Sequence, residues 1–324
     1  VLFTADIYGR FAWPGCGGER PAGHADLSHL VTAVQRKHKE IARVGDPAPV
    51  VVAGGSMIRP DIMGNHLFGE GRAWAPAAIK LLRKVGFHAV SMGPYDFGAE
   101  LATQRTYLKL MHAAGIPVLA SNVGFEDKTD VRGSLLGGPD GRPYVVLQQG
   151  PMRVGVAALL REDLPQRVLK RTALTMKTED PVERARKLIR LLRQQEKVHV
   201  VVLLASLNLE RTAPQPAIQF VRELGSDAPD LVVTNGMYHR GSGDFVARIQ
   251  SRLGSAIVGT DRFGQHLGHA VVHVKRAAAG RVTVPLIDVK VEEVAQDPPD
   301  DKSVPLVEDM LRELCRAVDK PLGR

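Results

Sequence analysis

The order of elements between residues 49 and 123 constrains the fold more than any other feature. "PVVVAGG" is a run of branched residues that stops on glycines, the pattern of a buried strand. "WAPAAIKLLRKVG" follows with Ile79, Leu82 and Leu81 or Val85 at helical spacing, and Gly86 suits its C-terminal cap. "FHAVSMG" returns as a strand. "LATQRTYLKLMHAAG" is a helix with Leu101, Leu108 and Met111 on its buried side, and "IPVLASNV" is the next strand. A β-α-β-α-β order of this kind places helices over a largely parallel sheet.

Further along, "GSLLGGPDGRPYVVLQQGPMRVGVAALL" holds two apolar runs broken by Gly and Pro, which predicts a hairpin and a change of sheet. "EDPVERARKLIRLLRQQ" opens a helix, with Asp180 as cap, Pro181 in the first turn and Glu183 at the capping-box position. The strand "VHVVVLLA", the helix "PAIQFVRELG" and the strands "DLVVTNG" and "SAIVGT" come next. "HLGHAVVHVKRAAAGRVTVPLIDVKVEEV" alternates like an antiparallel hairpin, and "VPLVEDMLRELCRAV" closes the chain as an amphipathic helix within 301–324. No segment has the length and composition of an interdomain linker. The reading is one α/β domain over 1–324 with two layered sheets.

Composition bears on partners. The formal charge is +8, but its densest cluster, "VERARKLIRLLRQQEK", sets basic residues between leucines and reads as the solvated face of a helix. No nucleic-acid motif accompanies it. Cys16 and Cys315 lie at opposite ends of the chain with no metal or redox spacing, and they read as free thiols. No transmembrane run is present. The chain enters a strand at once with "VLFTADIYGRF", so an upstream segment is expected to be missing.

In such a fold the chemistry sits where strands deliver loops. Five loops qualify: residues 4–10, 53–57, 92–98, 204–208 and 234–240. They offer Asp6, Tyr8, Arg10, Ser56, Tyr95, Asp96, Ser206, Asn208, Asn235, Tyr238, His239 and Arg240, a polar pocket able to take an anion. As a two-metal site it is poor, because two ions need several carboxylate and imidazole ligands around them.

The order and spacing of these loops resemble the metallophosphatase superfamily, in its 5'-nucleotidase and 2',3'-cyclic phosphodiesterase branch. "DIYGR" stands where the family has Asp-x-His-Gly-Arg, and Ala53–Ser56 stand where it has Asp-x-Gly-Asp. "GPYDFG" matches Gly-Asn-His-Glu-Phe-Asp, "LAS" matches Leu-Ser-His, and Gly236–His239 match Gly-His-x-His. The resemblance runs over almost the whole chain and implies a four-layer α/β/β/α sandwich of two mixed sheets flanked by helices. It also implies that Tyr8, Ser56, Pro94, Tyr95, Ser206 and Met237 replace metal ligands or the catalytic histidine. Only Asp6 and His239 remain at ligand positions, while Asp96 falls at the family's glutamate.

Asp6 and His239 are thus either holders of at most one weakly bound divalent ion or purely structural. Arg10 is either an anion contact or a salt-bridge partner of Asp6 or Asp96. Tyr8, Tyr95 and Tyr238 are expected to fill the volume of the lost ligands. "IMGNHLFGEG" contains a literal Gly-Asn-His, but it precedes the wrong helix; Asp61, His66 and Glu70 read either as solvated loop residues or as the makings of a different metal site over the mouth. His24, His29, His38, His269 and His273 read as packing or surface histidines.

Two functional expectations follow. The first is an inactive, cofactor-free fold retained as a binding or assembly component, with a protein partner of unknown identity. The second is a metal-dependent phosphoesterase acting on nucleotides or other phosphate esters at an atypical site. A nucleotide or phosphate anion is the small ligand the resemblance suggests. The resemblance also implies that the family's C-terminal substrate-binding domain would join where this chain ends, and that a lost export signal would make the protein extracytoplasmic.

Overall fold

The structure, a computed structural model, describes residues 1–8, 26–58, 75–168, 175–207, 215–235, 249–250, 255–260, 264–276 and 282–318. Along the chain, β1 (Leu2–Ala5) leads to α1 (Leu27–Arg43), β2 (Val51–Gly54), α2 (Ala75–Val85) and β3 (Ala89–Ser91). The short α3 (Pro94–Gly98), α4 (Leu101–Ala113), β4 (Val118–Leu119), β5 (Val123–Phe125) and α5 (Val131–Leu135) follow. Then come β6 (Tyr144–Gln149), β7 (Met152–Leu160), α6 (Leu164–Arg167), β8 (Met176–Thr178), α7 (Pro181–Gln194) and β9 (Val200–Ser206). The last third holds α8 (Gln215–Leu224), β10 (Leu231–Thr234), β11 (Ile249–Gln250), β12 (Ala256–Val258), β13 (His266–Arg276), β14 (Val282–Glu293) and α9 (Val304–Val318).

Two six-stranded sheets result, in the orders β14-β13-β1-β2-β3-β4 and β11-β12-β10-β9-β7-β6. In the first, β1 to β4 run parallel and the antiparallel β13–β14 pair finishes one edge; in the second, β12, β10, β9 and β7 run parallel and antiparallel β11 and β6 finish both edges. Both sheets are therefore mixed.

Strand alternation builds the layers. In β1, Leu2 joins a core with α1, α2 and α4, whereas Phe3 faces the other sheet. In β9, Leu203 packs with α7 and α8, whereas Leu204 meets Phe3 in the shared inter-sheet core. Helices, sheet, sheet and helices make the four-layer α/β/β/α sandwich expected. Among the described residues, no helix is long and apolar enough to cross a membrane.

Local chemistry explains the element ends. Asp180 accepts the Glu183 N–H at 2.8 Å and starts α7. Asp26 caps α1 by accepting the Ser28 N–H at 2.9 Å, and it also holds the buried His29 ring at 3.0 Å. His29 is thus a packing histidine. His273 pairs across the hairpin with Asp288 at 3.0 Å.

One face differs from expectation. Leu101 is only half-buried, while Thr103 and Gln104 turn inward. The cause is the end of α3, whose carbonyls need donors. Gln104 Nε2 supplies them to Phe97 O at 2.9 Å and Ala99 O at 2.8 Å. Its Oε1 then accepts from Arg132, which is itself buried against Asp130 and over the Phe125 ring.

Candidate functional site

The parallel registers bring the C-terminal ends of β1, β2 and β3 to one edge of the first sheet, and those of β7, β9, β10 and β12 to the facing edge of the second. The loops singled out in the sequence leave from these ends, so the fold gathers their described residues at one end of the sandwich.

Asp6 and Tyr8 follow β1 with φ of 49° and 53°, a left-handed conformation that non-glycine residues adopt only when surroundings enforce it. Backbone bonds to the neighbouring loop do so: Asp6 N–H reaches Gly54 O at 3.0 Å, and Tyr8 N–H reaches Ser56 O at 3.1 Å. The Asp6 carboxylate is buried and accepts the Ser56 N–H at 3.0 Å. Gly55, at φ 72°, allows this approach. A Cβ there would overlap Asp6 Oδ1 and come within 3.1 Å of Asn235 Cβ on the second sheet. Gly55 is thus required both by conformation and by space.

Ser56 joins the second loop to the third. Its buried hydroxyl accepts the Tyr95 N–H at 3.1 Å, and a Cβ at Gly93 would collide with it. Pro94 opens α3, where its missing N–H costs nothing. Tyr95, half-buried, sets its ring edge-to-face against that of Tyr8, with centroids 5.2 Å apart.

Asp96 is fully buried and accepts N–H groups from Gly93 at 2.6 Å, Ile58 at 2.6 Å and Met57 at 3.2 Å. Its carboxyl fastens the loop after β3 to the loop after β2. Burial is the main influence on its titration. It outweighs the three N–H donors, and with a further push from the Asp6 charge it raises the carboxyl to about 8. Tyr107 lies near enough that burial and the Asp96 charge both raise its phenol.

On the second sheet, Ser206 ends β9 and is wholly buried. Arg10, Met237, Tyr238, His239, Arg240 and Asn208 lie outside the described residues, as do Asp61, His66, Glu70, His24 and Cys16. Among the described residues, no three His, Cys, Asp or Glu side chains converge as a metal-holding group.

Three features of this region have weak or no sequence signatures. Ser56 as a cap for α3 needs the approach of two loops 39 positions apart. The Asp130–Arg132–Gln104 network behind α3 joins helices that the sequence leaves unpaired. The third is the placing of Thr260, after β12 of the second sheet, and His266, at the start of β13 in the first, at the same end of the sandwich. For His266 a signal exists: strand alternation puts it on the same side as Gly268, and that glycine is pressed on Phe3 between the sheets.

No family model matches the chain, and no curated protein does. Solved structures do. A calcineurin-like phosphoesterase, YfkN, from Bacillus subtilis superposes with a TM-score of 0.74 at 16% identity, over 98% of each chain. A 5'-nucleotidase precursor from Thermus thermophilus gives 0.72 at 16% identity, over 99% of this chain and 60% of its own. The NAD nucleotidase of Haemophilus influenzae gives 0.70 at 15% identity, over 99% and 61%. The chain thus spans about three fifths of the two nucleotidases and nearly the whole of the phosphoesterase.

Proposed function

We propose that this chain, which has the fold of the calcineurin-like phosphoesterases and 5'-nucleotidases, is a metal-independent binding or assembly component rather than a hydrolase. The observation that carries the reading is Ser56. It stands where the resembling family has an aspartate ligand, and both its groups are engaged in holding loops together: its N–H on Asp6 and its hydroxyl under Tyr95 N–H.

Two divalent ions sharing a bridging hydroxide need several anionic or imidazole donors clamped around them. Among the described residues, the strand ends supply one carboxylate, Asp6, one imidazole, His266, the hydroxyls of Ser56, Ser206 and Thr260, the Asn235 amide and two tyrosines. That donor set does not fit a dinuclear centre. Proline at position 94 offers no ligand. Tyr8 and Tyr95, at two of the family's ligand positions, set their rings edge-to-face. Asp96 is taken up by backbone N–H groups.

The competing reading, a phosphoesterase with an atypical site, draws on the match to phosphoesterases and on Asp6 at the end of β1. Mn²⁺ titration by calorimetry, with a generic aryl phosphodiester assay alongside, separates the two. The expected result is no stoichiometric two-ion binding and no turnover above the metal-only blank. Turnover that disappears in Asp6→Asn refutes the proposal.

A further inference from the structure

The edge strand of a sheet leaves a row of backbone donors and acceptors unpaired, and proteins guard such rows with charges, proline, brevity or a covering loop. Among the described residues, three of the four sheet edges are guarded in these ways. β14 carries Pro285 with Asp288, Lys290 and Glu292, and β11 is only two residues long. β4 is as short, and the Gly137 N–H reaches Val118 O at 2.8 Å across its edge. The fourth edge is β6, "YVVLQQ", which has neither charge nor proline.

The hydrogen-bond pattern of β7 shows which groups of β6 are left over. Arg153 on β7 turns both its backbone groups to His199: its N–H meets Nδ1 at 2.9 Å, and its C=O accepts the His199 N–H at 2.8 Å. Its partner across the β6–β7 pair is Gln148, so Gln148 presents its own N–H and C=O to the outside. Val146, two residues back, does the same. Among the described residues, no strand pairs with that side of β6. The open row stops at Tyr144, where Gly138 lies so close to the carbonyl that a Cβ would come within 2.7 Å of it.

Beside this edge runs a groove of about 600 Å³, at the end of the sandwich where β3 and β4 begin, opposite the loops described above. Phe87, Ile116, Pro117, Val145 and Leu147 give it apolar walls. Two donors also line it. Arg83, exposed in the last turn of α2, has no ion pair among the described residues. His88 accepts the Val51 N–H on Nδ1 at 3.1 Å, so the proton of its neutral ring sits on Nε2. Arg142, on the same groove, is engaged by Asp140 at 3.0 Å and Glu196 at 2.6 Å, and it occupies both carboxylates. The unbalanced charge of the groove is therefore positive.

We propose that the open edge of β6 and this groove dock an extended segment of a partner protein, apolar at alternate positions and carrying a carboxylate. This rests on the reading of the chain as a binding component. The segment joins the second sheet as a seventh strand. Its backbone meets the N–H and C=O groups of Val146 and Gln148, four hydrogen bonds in all. Every second side chain of the added strand points into the groove. There apolar residues meet the walls, and a carboxylate accepts from Arg83 and His88.

The test follows backbone amides of the full chain by ¹⁵N–¹H NMR, with EDTA and at low salt to limit screening. Two peptides with blocked ends are added in turn, Thr-Val-Thr-Glu-Thr-Val and the same sequence with Lys for Glu. The expected result is a saturable shift of the Val146 and Gln148 amides at millimolar Glu peptide, about fivefold weaker with the Lys peptide. Arg83→Glu, at an exposed position, is expected to reverse that order. Val146→Pro removes an outward N–H and leaves the β6–β7 bonds in place, so it is expected to abolish the shift while circular dichroism shows the fold retained. If that variant does not fold, the Arg83→Glu reversal decides. Silence of the two amides, equal affinity for both peptides, or the same shift on raising the protein concentration alone overturns the proposal; the last would make a second copy the occupant. Turnover in the Mn²⁺ assay above with peptide binding intact would refute the metal-independent function alone. No binding and no turnover would refute this surface alone.

Discussion

Replacing Asp96 with asparagine separates the two things its carboxyl does. In the folded protein it titrates at about 8, against an ordinary value of 3.8. Between those values the folded state keeps a proton that the unfolded chain has lost. Stability is therefore fully present below about pH 4 and declines as pH rises towards 8, by at most about 1.4 kcal/mol per pH unit. From pH 5 to 7 the loss is about 3 kcal/mol. With an unfolding entropy of roughly 2.1 cal/mol/K per residue, it lowers Tm by about 4 °C in a chain of 324 residues.

Asparagine cannot titrate and escapes this slope. It has its own cost. If its oxygen keeps Gly93 and Met57 N–H, its amino group faces Ile58 N–H, which now donates at 2.6 Å. Losing that bond and setting two donors face to face costs about 1–3 kcal/mol. Asp96→Asn is thus expected to melt below the wild type at pH 5 and to gain on it by about 4 °C by pH 7, with no further gain above pH 9. Melts of both proteins, followed by circular dichroism from pH 5 to 9, measure the difference directly. Taking the difference cancels the other titrating groups, among them the depressed Glu292 and Asp130. A gap between the two proteins that is constant with pH would refute the reasoning. It would mean that three N–H donors outweigh burial and keep Asp96 ionised throughout.

Ser56→Ala leaves the Tyr95 N–H without its acceptor and is expected to cost about 1–3 kcal/mol in urea denaturation; a loss below about 0.5 kcal/mol would count against Ser56 as the link between loops. Gly55→Ala meets both the left-handed backbone and the Asp6 carboxylate, so it is expected to cost more than the roughly 1 kcal/mol of backbone strain alone, read as a Tm shift. Arg132→Met strands the buried Asp130 carboxylate and is expected to cost about 3–5 kcal/mol, while the double change with Asp130→Asn recovers part of it. Equal losses in the single and double variants would show that the pair is not the source.

The large elements are legible in the sequence because each buries a periodic face. Helices α2, α4, α7 and α8 and strands β2, β9, β10 and β12 fall where apolar spacing and end signals put them. The β13–β14 hairpin does too, although the register shift between His273 and Lys275 leaves no mark in the pattern. The two-stranded pairing of β5 with β8 is not legible, since three-residue strands are too short for alternation to register. Gln104 defeats the helical reading for another reason. Periodicity ranks apolar residues as buried, and it cannot know that two carbonyls of a neighbouring helix end wait for a buried amide.

The sequence by itself determined the layered α/β sandwich, the loops that hold any chemistry, and the residue types those loops can offer. These are properties of local spacing and of covalent composition, which do not depend on what lies across a gap. Only the tertiary structure decided what each side chain does. It turned Asp96 inward onto three backbone N–H groups, set Ser56 between Asp6 and Tyr95, and placed Tyr8 edge-on to Tyr95. It also brought His266 of the first sheet to the same end of the sandwich as Ser206 of the second, a residue 60 positions earlier in the chain. Burial and hydrogen-bond pairing are set by neighbours distant in sequence, so whether a carboxylate is a ligand, a clamp or a buried acid is fixed only when the two sheets close on each other.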